Sequence, residues 1–149
     1  MGTASKLIHA RDAETHRSAE GELTTFLLGA ADLGARLSLH ESHLPAGTGA
    51  PWHVHAHDDE VIYVIEGEVE FGLGDAISVL GPGDLAAAGP GVPRKFRALR
   101  DSRLLVMNTP AGPGEGFLRA MQELARVPNE SELQDLEARF GVTVPPGLG

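Results

Sequence analysis

Apolar and polar residues alternate in short runs through the middle of the chain, and most runs end at Gly, Pro or Asp. Short, β-rich runs with such boundaries predict strands. No helical pattern interrupts them, which is typical of an antiparallel barrel or jelly roll and not of a parallel α/β sheet. The predicted fold class is therefore all-β. The predicted strands are Thr24–Leu28, Ala35–Leu44, Pro51–His55, Val61–Glu66, Val69–Leu73, Ala76–Leu80, Leu85–Ala88, Lys95–Leu99 and Arg103–Asn108.

The pattern changes after Thr109. A Pro/Gly linker is predicted over Pro110–Gly114, and apolar residues at helical spacing then predict an amphipathic helix over Gly116–Arg126. A second helix is predicted after Asn129, which is a good N-cap, and it should end at Gly141. We expect these helices to cover one end of the barrel or a dimer seam, or to act as a substrate lid.

Three segments follow from this pattern. Residues 1–23 form a polar N-terminal arm, residues 24–109 form the barrel, and residues 110–149 form a C-terminal helical extension with an irregular Pro/Gly-rich tail from Val142. The apolar wall of the barrel is predicted to consist of Phe26, Leu37, Leu39, Val64, Phe71, Val79, Phe96, Leu105 and Met107.

Length and charge narrow the function. A chain of 149 residues suits one domain. The formal net charge is -9 and only Lys6 and Lys95 are lysines, which disfavours nucleic acid and anionic membranes as partners. No apolar run is long enough for a transmembrane helix, no leader is visible, and the chain has no cysteine, so we expect a cytoplasmic protein without thiolate chemistry.

Two histidines and a carboxylate form the strongest chemical signal. His53 and His55 are two residues apart, so on a strand both side chains project from one face, roughly 7 Å apart at Cα. Glu60 follows a short polar turn that can return its carboxylate to the two imidazoles. Two histidines and one carboxylate are the ligand set that non-haem Fe(II), Mn(II) and related ions accept.

The full spacing resembles the first signature motif of the cupin superfamily at each fixed position, namely Gly47, His53, His55, Glu60 and Gly67. The arrangement is similar to small single-domain bacterial cupins of the quercetin dioxygenase-like and polyketide cyclase-like kinds. The resemblance implies a jelly-roll barrel, a divalent metal ion (Fe, Mn, Ni or Zn), a small molecule bound inside the barrel, and a homodimer in which the N-terminal arm takes part.

The second cupin motif is incomplete in this chain. Gly83 and Gly91 match it, but Gly89 stands where the motif has proline and Ala98 where it has asparagine. Arg94 stands where the family has the histidine that completes the metal site. The departure therefore falls on a metal ligand.

Three consequences remain open from the sequence. The metal can be held by the three ligands of the first motif while Arg94 turns outward or meets an anionic substrate. Alternatively, Arg94 points inward and pairs with Glu60, and its fixed positive charge repels a divalent cation, because a guanidinium does not deprotonate. In the third case another histidine, from His40, His43 and His57, replaces the missing ligand.

The resemblance implies a metal-assisted enzyme of the dioxygenase or cyclase/isomerase type acting on an oxygenated, aromatic or polyketide-like substrate. In that hypothesis Glu60 and Tyr63 are the catalytic candidates, and the candidates for substrate binding are Arg94, His57, Trp52, His40 and Phe96. The alternative hypothesis is a metal-free module that binds or senses a small molecule, with Arg94 in place of the fourth ligand.

Overall fold

The computed structural model describes residues 4–145. Within them the chain forms eleven β-strands and two α-helices, α1 (Pro113–Leu124) and α2 (Glu130–Phe140). The strands are β1 (Glu14–Arg17), β2 (Leu23–Leu28), β3 (Ser38–Leu44), β4 (Gly49–His55), β5 (Asp59–Glu66), β6 (Val69–Leu73), β7 (Ala76–Leu80), β8 (Leu85–Ala88), β9 (Arg94–Ala98), β10 (Ser102–Thr109) and β11 (Val142–Thr143).

The strands form two antiparallel sheets. One has the order β1-β2-β3-β10-β5-β8, and the other has the order β11-β4-β9-β6-β7. Strands that follow one another in sequence repeatedly lie in different sheets, as in a jelly roll. The all-β prediction with short C-terminal helices is confirmed.

The core lies between the sheets and is built by strict alternation. On β5 and β10 every second side chain is buried, which places Ile62, Val64, Leu104 and Val106 inside. The buried core consists of Leu44, Ile62, Val64, Val69, Phe71, Ala98, Leu104 and Val106. At roughly 25 cal/mol per Å² of apolar area removed from water, this cluster is the main driving force for folding.

The predicted apolar wall was wrong at several positions. Val79 is 52% exposed on the edge strand β7. Leu105 and Met107 lie on the half-buried outer face of β10, because their neighbours Leu104 and Val106 take the inner face. The run Arg103–Asn108 is apolar on both faces, so its pattern did not fix which face is internal.

The ends of the chain differ from the prediction. The polar arm contains β1, which pairs with β2 of the same chain from Glu14 opposite Phe26 to Arg17 opposite Leu23. The tail, predicted to be irregular, begins with β11, which pairs with β4. Residues 146–149 of the tail lie outside the described residues. A homodimer through the arm stays a prediction.

The C-terminal helices begin and end close to the predicted positions. α2 has the expected capping box, in which the Asn129 side chain accepts from the backbone of Glu132 and the Glu132 carboxylate accepts from the backbone of Asn129. Gly141 ends α2 in the left-handed conformation. α1 begins earlier than predicted, because Pro113 occupies its first turn, where a missing N–H costs nothing. Neither described helix is long and apolar enough to cross a membrane.

Candidate metal centre

Two histidines of β4 point between the sheets. His53 and His55 are both buried, with ring centroids 5.2 Å apart. His53 Nδ1 lies 2.8 Å from the carbonyl oxygen of Pro51, and His55 Nδ1 lies 3.0 Å from both carboxylate oxygens of Asp58. Burial lowers the pKa of His53, so that its ring favours the neutral form. In each ring Nε2 is the nitrogen not engaged by these contacts.

Glu60 completes a three-residue cluster. It is buried at the start of β5, and its Oε2 lies 3.8 Å from His55 Nε2. One ligand atom from each of His53, His55 and Glu60 can be chosen so that all three lie within 4.8 Å of one another. The turn formed by residues 56–58 therefore brings the carboxylate to the imidazoles, as the spacing predicted.

Sequence reasoning missed two further polar residues of this cluster. Asp58 is 1% exposed, its carboxylate lies 3.0 Å from His55 Nδ1, and it accepts a hydrogen bond from Asn108 Nδ2 at 2.8 Å. Asn108 Nδ2 also donates to Glu60 Oε2 at 3.1 Å. No sequence signal marked them, because the run Arg103–Asn108 is apolar on both faces and its pattern does not show that Asn108 faces inward.

Arg94 points inward, as in the second of the three alternatives. It is 3% exposed, and its Nε and Nη2 donate to the carbonyl oxygens of Val92 and Gly89 at 3.0–3.2 Å. Its Nη1 lies 3.6 Å from Glu60 Oε1. At this distance the two groups form an ion pair but not a hydrogen bond. Arg94 Nη1 and Glu60 Oε1 are both buried and have no hydrogen-bond partner among the described residues. Such a pair of buried, unsatisfied atoms indicates a place for a polar ligand atom or water.

A narrow cavity adjoins this pair. Its volume is about 10 Å³, which suits a single water molecule, and Glu60 and Arg94 line it together with apolar side chains that include Phe71 and Phe96. The two phenyl rings are tilted against each other with centroids 5.7 Å apart. A larger ligand at this place needs these walls to move apart.

Comparisons with known proteins agree with this geometry. The sequence profile of the cupin domain matches residues 40–109, which span β3 to β10 and hold all the residues of the cluster. The chain contains a cupin domain. No curated protein is similar enough in sequence to match it.

Solved structures share the fold of this cupin domain at low identity. KdgF from Halomonas sp. is 19% identical with a TM-score of 0.67, covering 74% of this chain and 98% of its own. Ectoine synthase from P. lautus is 20% identical with a TM-score of 0.65, covering 79% and 87%. The Streptomyces nucleoside dehydratase Pac13 is 13% identical with a TM-score of 0.60, covering 74% and 87%.

The remaining predicted site residues of the cupin domain are divided between its inside and its outside. His40 is buried on the inner face of β3, and Phe96 lines the narrow cavity. Tyr63 is 41% exposed on the outer face of β5, since Ile62 and Val64 occupy the inner face, so the structure does not bring it to the cluster. This placement does not support Tyr63 as a catalytic candidate.

Trp52 and His57 also lie away from the cluster. Trp52 is on the outer face of β4, where its ring packs over Gly72 and lies 5.4 Å from Lys95 Nζ. It therefore covers the outside of the sheet and does not wall the pocket. His57 is exposed in the turn after β4 and lies against Gly141 at the end of α2. Of the candidate replacement ligands only His40 faces inward, and it is not part of the three-residue cluster.

The cluster fits a divalent metal ion. Both histidines present Nε2 while a hydrogen-bond acceptor engages Nδ1, which is the usual arrangement of metal-binding histidines. Glu60 Oε1 is buried and unsatisfied among the described residues, as an unloaded ligand oxygen would be. Arg94 is the one unfavourable feature of this fit, because its charge lies beside the carboxylate. The cupin domain thus places three candidate metal ligands beside a fixed cation.

Helix α1 of the C-terminal extension packs closely against Asn108 and Asp58 at Gly114. A Cβ atom at position 114 would lie 2.7 Å from Asn108 Nδ2 and 3.0 Å from Asp58 Oδ2. Glycine inside a helix costs roughly 1 kcal/mol relative to alanine. Its presence near the start of α1 is explained by this close approach.

Gly114→Ala is therefore expected to lower the free energy of unfolding by about 1–2 kcal/mol, although alanine is the better helix former, because the added methyl overpacks two buried, hydrogen-bonded side chains. Urea unfolding measures the change. Gly81→Ala is the control, since a Cβ at position 81 meets nothing within 4 Å. Equal stability of the two variants would contradict the close approach.

Proposed function

We propose that this chain is a divalent-metal-dependent enzyme that acts on a small, oxygenated and anionic molecule inside the cupin domain. The observation that carries the proposal is the convergence of His53, His55 and Glu60, with both Nε2 atoms left for a ligand. Ectoine synthase and the dehydratase Pac13 share the fold and act on small molecules, which supports an enzyme.

A metal held by His53, His55 and Glu60 would act as a Lewis acid that lowers the pKa of a coordinated enol, enediol or catechol oxygen. Glu60 Oε1 is the candidate acceptor for a proton from the substrate, because Oε2 already accepts from Asn108. Arg94 Nη1 is the candidate donor to a carboxylate or enolate oxygen, since Nε and Nη2 are fixed by carbonyl groups. Dioxygenation and cyclisation or isomerisation are the reaction classes that we propose.

The metal content of the purified protein tests this function. Protein prepared without chelators is expected to carry about one equivalent of Fe, Mn, Ni or Zn by elemental analysis, and His53→Ala is expected to carry less than a tenth of that, because a facial site loses one of three ligands. His43→Ala is the control, since His43 is on β3 with its side chain exposed. Unchanged metal content in His53→Ala would contradict the metal site.

The inward Arg94 favours a second candidate, a metal-free module that binds an organic anion. Its Nη1 stands 3.6 Å from Glu60 Oε1 in a buried site, where a fixed positive charge opposes a divalent cation. Wild-type protein without metal, together with a full site in Arg94→His, would support this candidate. Organic anions would then be expected to raise the melting temperature in the presence of a chelator.

A further inference from the structure

Asp58 lies directly behind one of the two histidines of the cluster. Its side chain is buried, and both carboxylate oxygens are 3.0 Å from His55 Nδ1. A carboxylate is an acceptor without a proton to give, so this contact requires a hydrogen on Nδ1. Nε2 of the neutral ring is then the nitrogen with a free lone pair, and it is the one that faces Glu60.

The two histidines are oriented by different means. His53 Nδ1 meets the backbone carbonyl of Pro51, which is also only an acceptor. A side-chain substitution can remove the acceptor of His55 and leave that of His53 in place. The chain therefore allows the effect of one orienting contact to be measured inside an otherwise unchanged cluster.

Asn108 links Asp58 to the third member of the cluster. Its Nδ2 donates to Asp58 Oδ2 at 2.8 Å and to Glu60 Oε2 at 3.1 Å, so both hydrogens of the amide are used. Gly114 packs against this pair and leaves no room for a side chain. Asp58 is thus held in one position from two sides, by His55 and by Asn108.

We propose that Asp58 is a positioning residue that holds His55 as the Nδ1–H tautomer and so keeps Nε2 unprotonated towards the cluster. The functional consequence, that Nε2 can bind a metal or accept a proton, rests on the proposed function. The tautomer itself does not depend on a metal being bound. Replacing Asp58 by asparagine keeps the size of the side chain but adds an N–H₂ donor, which favours a hydrogen on Nε2 instead.

Long-range ¹H–¹⁵N NMR of chelator-treated protein reads the tautomer directly. The wild type is expected to show His55 with its hydrogen on Nδ1, the signal being assigned by its loss in His55→Gln. Asp58→Asn is expected to move the hydrogen to Nε2. Asp59→Asn is the matched control, because Asp59 is exposed beside Asp58. It should leave the tautomer unchanged, whereas a purely structural role of Asp58 predicts no reversal in either variant.

The zinc affinity of the variants measures the functional consequence of the tautomer. Asp58→Asn is expected to weaken zinc binding 10- to 100-fold, and Asp59→Asn less than 3-fold. A wild-type His55 protonated on Nε2 overturns the inference even if Asp58→Asn does not fold, and so does an unchanged tautomer in Asp58→Asn. Wild-type protein that shows the Nδ1–H tautomer but binds none of Zn, Fe, Mn and Ni supports the inference and contradicts the metal-dependent function.

Discussion

Arg94→Met is expected to lower the free energy of unfolding by about 3 kcal/mol in the presence of a chelator. Removing one partner of a buried ion pair leaves the other charge uncompensated, at a typical cost of about 3–5 kcal/mol. Here the Glu60 carboxylate, with a side chain only 10% exposed, would lose the guanidinium 3.6 Å from Oε1. The carbonyl oxygens of Gly89 and Val92 would also lose their donors. Urea unfolding measures the loss.

Zinc should restore part of the stability that Arg94→Met loses. A cation in the cluster replaces the missing charge beside Glu60, so the variant is expected to gain more stability from saturating zinc than the wild type gains. Arg97→Met is the control, because Arg97 is exposed on the same strand, β9. Its stability should change by less than about 0.5 kcal/mol. Equal stability of Arg94→Met and the wild type in chelator would contradict the ion pair.

The cluster of His53, His55 and Glu60 was the best predicted feature of this chain. Its information is local: two residues on one strand share a face, and a short turn returns the third. Nothing comparable marked Asp58 and Asn108, which are 50 positions apart in sequence and meet only because β10 pairs with β5 and places Asn108 opposite Glu60. The hydrophobic pattern of one strand does not indicate which distant strand it pairs with, so contacts of this kind cannot be predicted from it.

Errors of orientation have one physical origin. The side-chain period of a strand is two, so a shift of one residue exchanges its faces. On β5, Glu60 faces inward, and Tyr63 at an odd spacing from it must face outward. The choice of Leu105 and Met107 over Leu104 and Val106 was the same error on β10. Once the face of one residue of a strand is known, the alternation of side chains assigns every other residue of that strand to the inner or the outer face.

Strands β1 and β11 were missed for a different reason. β1 has the sequence Glu-Thr-His-Arg and β11 has two residues, so neither carries an apolar alternation. Each forms because a neighbouring strand offers unpaired backbone groups at the edge of a sheet, β2 for the first and β4 for the second. Such strands are specified by tertiary structure and not by their own composition.

His40 is the buried histidine that the proposed chemistry does not use. It lies on the inner face of β3, with its ring 6.1 Å from that of Phe26. The pKa of His40 is lowered to about 4, mainly by burial; the carboxylate of Glu60 opposes this shift and the positive charge of Arg119 adds to it. The ordinary value is 6.5. The folded protein therefore holds this imidazole neutral at pH values where the unfolded chain protonates it.

Acidification is consequently expected to destabilise the fold through His40. Because the folded pKa lies below the unfolded one, the unfolded chain binds an extra proton between pH 6.5 and 4, so the full stability present above pH 6.5 falls by about 3 kcal/mol as the pH drops through this window. Urea unfolding of the wild type and of His40→Gln at each pH isolates the contribution of His40. On acidification the free energy of unfolding of the variant should fall by about 3 kcal/mol less than that of the wild type. His43→Gln, an exposed histidine of the same strand, should follow the wild type. Parallel pH profiles for His40→Gln and the wild type would show that burial of His40 does not oppose its protonation.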